Sequence, residues 1–267
     1  MNAGKTLGAA ALAACACVTV HAYAQHAVPP ITAPAGEAKS AKTRVLEAGA
    51  SILQSAAPLR GYDIYLVGFH PMKEHPEKQM EAHHYCRQAN EDFAQCVLFD
   101  GNTSTANMNG VEYIISEKLF DSLPAEEKQL WHPHNGEILS GQLVAPGLPL
   151  GAEHELMKKK MNSYGKTWHM WDTGHAGQPG DKLPLGQPML AWSFNRDGEM
   201  QPGLLEARDR RVKIDSSTHR KNRADLVPLA KPQVGVDDLK GQFGRPTKDI
   251  PGVVDQRAAA PAGAPPH

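Results

Sequence analysis

Three runs rich in aliphatic and aromatic residues follow one another with short polar stretches between them. They are Gly61 to Phe69 (GYDIYLVGF), Met80 to Arg87 and Ala94 to Phe99. Runs of this length and composition read as strands. The polar turn Gln88 to Asp92 joins the last two. Gly110 to Ile115 is a further strand, and Gly136 to Val144 alternates as a strand would. Thr167 to Asp172 and Met189 to Phe194 are expected to close the set. Helical signals are fewer. Thr43 to Ala56 places Val45, Gly49, Ile52, Leu53 and Ala56 at helical spacing, and Pro58 ends the pattern. Pro124 to Trp131 opens on proline with Glu126 and Glu127 at the positive dipole end, and Pro133 stops it. Ala152 to Met161 sets Leu156, Met157 and Met161 on one side. Short strands, about three scattered helices and no regular βαβ rhythm predict an α+β fold: a mainly antiparallel sheet in a single domain with loose termini.

The ends carry a different message. Lys5, an apolar run from Leu7 to Val20 and the small-x-small pattern Ala22-Tyr23-Ala24 read as a secretory signal peptide. The run is too short to span a bilayer, which takes about 20 apolar residues. Residues 1–24 are therefore expected to be removed, giving a periplasmic or secreted protein. Leu12-Ala13-Ala14-Cys15 resembles a lipoprotein box, the minor alternative, with anchoring at Cys15. Residues 25–41 read as a flexible Ala/Pro-rich linker and residues 42–196 as the core domain. Residues 197–255 read as an extended C-terminal tail with one helix, and the Ala/Pro/Gly-rich residues 256–267 as disordered.

Twenty-eight Lys and Arg against 29 Asp and Glu leave a formal charge of −1. That balance gives no electrostatic case for nucleic acid or an anionic membrane. Cleavage after Ala24 would leave Cys86 and Cys96, too few for a disulfide-built scaffold but enough for one bridge. If the two strands around Gln88 to Asp92 form a hairpin, the pair sits opposite; whether it is a disulfide or a thiol pair stays open.

The chemistry-bearing residues fall in two clusters. In LWHPHNGEILSGQL (130–143), Pro133 forces His132 out of the helical region, so His132 and His134 project to one face with Glu137 near. Two imidazoles on one face with a carboxylate suit a divalent metal. Histidines at a helix end also simply hydrogen-bond free carbonyls. In EAHHYCRQANEDFAQC (81–96), Ala82, His84 and Cys86 share one strand face and Glu81, His83 and Tyr85 the other. His84 with Cys86 is a second ligand pair, able to meet His132 and His134 if the strands neighbour each other. The competing reading makes Cys86 a small buried hydrophobe and His84 a hydrogen-bonded core group. The chain lacks G-x-S-x-G, H-E-x-x-H, G-x-G-x-x-G and C-x-x-C motifs. The catalytic residues and any organic cofactor therefore stay unknown.

Several of these stretches together resemble the oil body-associated protein family. They are LEAGASILQ (46–54), EAHHYC with NEDFAQCVLFD, GVEYIIS (110–116), LPAEEKQLWHPHNGEILSGQLVAPG, YGKTWHMW and DKLPLGQPML, in that order, with RKNRADL (220–226) beyond them. The resemblance implies association with lipid and attaches no catalytic reaction. It implies no agreed site, but His84, Cys86, Cys96, His132, His134 and Glu137 all lie inside the matching motifs. Plant members act in the cytoplasm, so the resemblance implies that the matching cysteines need not be oxidised. Three readings stand open: a non-catalytic protein binding lipid or an apolar small molecule, a metal-binding protein or metal-dependent enzyme, and a purely structural polar network.

Overall fold

In a computed structural model the described residues are 25–175 and 178–259. The expected leader, residues 1–24, lies outside them. The first four strands are β1 (Ile64–Pro71), β2 (Gln79–Asn90), β3 (Phe93–Phe99) and β4 (Met108–Ile115), after the helix α1 (Ala41–Leu53). They pair in sequence order, every pair antiparallel, because the turns between them are too short for a crossover. Two small helices follow, α2 (Glu117–Asp121) and α3 (Ala125–Lys128). Then come the two-residue strand β5 (His132–Pro133), α4 (Asn135–Leu139), α5 (Leu150–Lys160) and β6 (Tyr164–His169). β6 joins the free edge of β4 and carries β5 on its other side, giving the order β1-β2-β3-β4-β6-β5. Beyond a small hairpin of β7 (Gly174–His175) and β8 (Gln178–Pro179), β9 (Met189–Leu190) also pairs with β6.

The result is α+β with an antiparallel sheet, but with eight α-helices among the described residues rather than about three. One difference lies at Gly136 to Val144, expected as a strand. Its first half is α4, in which Asn135 to Leu139 are all buried. Tertiary packing overrides the alternation there: Ile138 and Leu139 join Leu66, Leu143, Met157 and Leu226 in the core. Gly141, at φ +81°, ends the turn where a side chain would strike the Ser216 carbonyl. Val144 alone keeps the strand character, bridging Val67. The expected helix 124–131 shrinks to the four residues of α3.

Larger differences lie at the ends. Residues 197–255 form not an extended tail but α6 (Leu204–Val212), α7 (Ser216–Asn222) and a 3-10 turn (Ala224–Leu229), packed on the sheet. The missing signal is two arginines that work as core residues. Arg208 is fully buried and donates to the carbonyls of Val67 and Gln142 and to Ser216 Oγ. Arg223 donates to the carbonyls of Ile138 and Leu143 and pairs with Glu153. The apolar residues packed beside them, among them Leu204, Leu226 and Phe243, stand singly among charges, and a composition-based reading sees only the charge. Residues 25–35, expected as a flexible linker, are pinned as well. Asn102 accepts from Val28 N and donates to the His26 carbonyl, and Thr32 donates to Thr173 O. Gln256–Ala259 form a short helix, and the rest of the expected disordered end lies outside the described residues.

Arg208→Met leaves the Gln142 carbonyl and Ser216 Oγ without the guanidinium and the Val67 carbonyl with the Val144 N–H alone. It is expected to lower the unfolding free energy by about 3 kcal/mol, read as a lower urea midpoint at unchanged slope. An unmoved midpoint would mean those carbonyls find other partners.

Candidate metal centre

Strand alternation turns one face of β2 and β4 inward. His84 shares its face with Ala82 and Cys86, and pairs across with Leu66 and Leu98. Glu112 sits on β4 in a row with Cys96 on one side and Thr167 on the other. β5 lays His132 opposite Gly165 of β6. Pro133 keeps the chain extended, and His134 then opens α4, which carries Glu137. The sheet thus brings His84, His132, His134 and Glu137 of the sequence reading together, and all four are buried.

Their meeting point is the Glu112 carboxylate, which the sequence reading did not single out. His84 Nε2 lies 3.0 Å from Glu112 Oε2. His134 Nε2 and His132 Nε2 lie 3.3 and 3.5 Å from Oε1. Ligand atoms around a tetrahedral ion with bonds of about 2.0–2.2 Å stand roughly 3.3–3.5 Å apart, so the spacing matches a ligand shell. Two further histidines complete the cluster. His70, at the end of β1, is held by a 3.0 Å hydrogen bond between its Nδ1 and Nε2 of His169 on β6.

The second ring nitrogens fix the chemistry. His84 Nδ1 donates to the Ala82 carbonyl at 3.1 Å. Ser163 Oγ gives its proton to the Lys160 carbonyl, so His134 Nδ1 is the donor in its 2.7 Å bond to Ser163 Oγ. With Nδ1 protonated on both rings, each Nε2 facing Glu112 is a lone pair, unless the ring takes a second proton and becomes a cation. Such outer partners orient histidines that ligate metals.

Burial would raise the Glu112 carboxyl, but hydrogen bonds from His134 and then His84 outweigh it and hold it well below the usual range. Glu137 goes the other way. Burial pushes its carboxyl well up, the Glu112 charge adds to that, and its Oε1 has no partner. His132 has neither nitrogen hydrogen-bonded; burial, then His134, pulls its pKa down to about 3. His169 is drawn to about 4, first by burial and then by His84. The cavity between His84, Glu112, His134 and Glu137, closed by Leu66, Ile114, Leu143 and Lys160, measures about 10 Å³. That is room for about one water-sized sphere, and no organic substrate.

Cys86, read from sequence as a ligand candidate, is not in the cluster. Its sulfur is bonded to Cys96, across the β2–β3 pair at a Cα separation of 4.0 Å. Of the unforeseen members, Glu112 sits in GVEYIIS and His169 in YGKTWHMW, inside stretches already singled out, and His70 lies one residue past the first strand run, Gly61 to Phe69. Each occupies a buried position on its strand, His70 on β1, Glu112 on β4 and His169 on β6.

Gly165 explains how the cluster has space. A Cβ there would lie 2.6 Å from His132 Nε2 and closer still to Glu112 Oε1.

A family model described as "Protein of unknown function (DUF1264)" matches residues 56–227. The chain is 35% identical to Oil body-associated protein 1A of Zea mays, over 86% of this chain and 93% of that one. It is 34% identical to Oil body-associated protein 1B of Arabidopsis thaliana over 80% and 86%, and 40% identical to Oil body-associated protein 2B of Arabidopsis thaliana over 76% and 82%. No solved structure matches.

Gly165→Ala is expected to cost about 1–3 kcal/mol by overpacking the cluster, measured by denaturant unfolding. Gly151→Ala, where the added methyl meets nothing within 4 Å on the helix α5, is the control and is expected to leave stability unchanged or slightly raised.

Proposed function

The chain belongs to the oil body-associated protein family, and from that premise and its buried histidines we propose that it is an exported, non-catalytic metal-binding protein. The observation that carries the reading is the convergence of the Nε2 atoms of His84 and His134 on the carboxylate of Glu112. With Nδ1 of each ring spent on an outer partner, one divalent ion placed among these atoms would satisfy both nitrogens and the carboxylate together, as a metal site does. His132 and Glu137, both with unpartnered buried atoms, stand ready to complete the shell.

The donor set is imidazole and carboxylate, with the nearby sulfurs joined in a disulfide. That set suits zinc, copper or iron rather than calcium or magnesium. A cavity with room for about one water suits a small ion rather than an organic substrate. The Cys86–Cys96 disulfide fits an oxidising compartment and so agrees with export.

A second reading, association with a lipid surface, is favoured by one observation. α1 carries Val45, Leu46, Ile52 and Leu53 all exposed and has no buried residue, although Ser40 caps it properly. An apolar helical face without a partner suits an apolar surface, and the relatives are named for oil bodies. No helix among the described residues is long and apolar enough to cross a membrane.

In protein purified gently from the exported fraction, with Gln25 as its first residue, elemental analysis is expected to find at least one transition-metal ion per chain. Ser163→Ala, which frees His134 Nδ1, is expected to weaken retention about 10–100-fold. Metal-free protein that also refuses zinc and copper would end the reading. For the lipid surface, Ile52→Asp with Leu53→Asp is expected to reduce co-flotation with phosphatidylcholine vesicles at least about tenfold; equal flotation would exclude α1 as the contact.

A further inference from the structure

The centre holds more donors than a single ion uses. A tetrahedral ion takes four ligands, yet five imidazoles and two carboxylates are buried together here. Their ligand atoms fall into two sets of three, each set lying within 4.8 Å of one another: His70, Glu112 and His132, then His132, His134 and Glu137. His132 belongs to both.

His132 is also the member of the cluster with neither ring nitrogen hydrogen-bonded, and it is 0% exposed. Each of the other four histidines has at least one nitrogen engaged, and His134 has both. Leaving a whole imidazole dry and unpaired costs about 1–3 kcal/mol for each orphaned group. A carbonyl or hydroxyl at one nitrogen would have settled a single-ion ligand in the usual way. The fold places none there. It sets other ligand residues around the ring instead, and a fully buried oxygen of Glu137 that no hydrogen bond uses.

We propose that the centre takes two transition-metal ions that share His132 as a bridging ligand, one held with His70 and Glu112, the other with His134 and Glu137. This rests on the metal-binding reading above. His84 completes the first position, since its Nε2 meets the Glu112 oxygen turned away from His132 and its ring lies 5.2 Å from that of His70. His169 positions His70 through the hydrogen bond between its Nε2 and His70 Nδ1, so the opposite nitrogen of His70 is the one offered to the ion. As the two ions enter, Glu137 loses its carboxyl proton and His132 its remaining ring proton, both to solvent. Two divalent ions then face three negative ligands, Glu112, Glu137 and the bridging imidazolate. The remaining positive charge is one that a hydroxide in the one-water cavity would cancel.

The test loads metal-stripped, full-length mature protein with copper(II) and reads copper per chain together with the electron paramagnetic resonance signal. Two ions per chain are expected, with the ordinary copper signal rising to one equivalent and then falling as the second ion couples to the first. His70→Ala and Glu137→Gln are each expected to hold one ion with an uncoupled signal. A wild-type plateau at one ion overturns the two-ion centre and leaves the metal reading standing. No bound copper overturns both. Two ions with a full, uncoupled signal overturn the shared His132. The wild-type measurement decides the matter even if a variant fails to fold.

Discussion

A charged carboxylate at the middle of the sheet organises this molecule. Glu112 is 3% exposed on the strand that lies between β3 and β6. Taking such a group out of water costs several kcal/mol unless partners surround it. The partners arrive from beyond the two flanking strands: His84 from β2, His132 from β5 and His134 from the turn into α4. β6 contributes by omission, because Gly165 leaves the space that a side chain would fill. The order of strands, with β5 placed last beyond β6, is what lets two histidines distant from β2 reach the same oxygen pair.

The C-terminal third secures the other half of the centre. α4, which carries Glu137, is too short to hold its own position. Arg223 grips it by the carbonyl of Ile138 and the following segment by that of Leu143, and Glu153 of α5 balances the charge. Arg208 does the same for β1 and the stretch after α4. A guanidinium with five donors in a fixed fork can tie several backbone segments at once. The buried apolar residues of this segment are single ones such as Leu204, Leu226 and Phe243 rather than runs, which is why residues 197–255 looked like a tail.

Much of the sheet was legible because period-two runs with polar turns have few alternatives. His132, His134 and Glu137 were legible through local spacing, since Pro133 fixes which way the chain runs. Glu112 was not. A single acid in GVEYIIS alternates with Val111 and Tyr113, and the ordinary expectation puts such an acid on the wet face. Here Tyr113 is the exposed neighbour, at 42%, and Glu112 the buried one. The inversion becomes visible only when the face is defined by His84 two strands away. His70 and His169 were hidden for a similar reason: each is a lone histidine on its own strand, and β1 and β6, which do not pair, meet at these two rings only in the folded molecule.

The disulfide and the cluster are linked by register. Cys86, Cys96, Glu112 and Thr167 form one row across four strands. Joining Cys86 to Cys96 locks β2 to β3 and so helps hold His84, two residues along from Cys86, against Glu112. It also removes two sulfurs from competition at the strand position directly paired with the carboxylate. With the pair oxidised, the donors facing the cavity are nitrogen and oxygen. Reduced, the same row would offer thiolates, which are softer ligands and favour copper(I) or zinc. Under the metal-binding proposal, the compartment in which the chain folds would bear on which ion the cluster prefers, through one bond rather than through any change in fold.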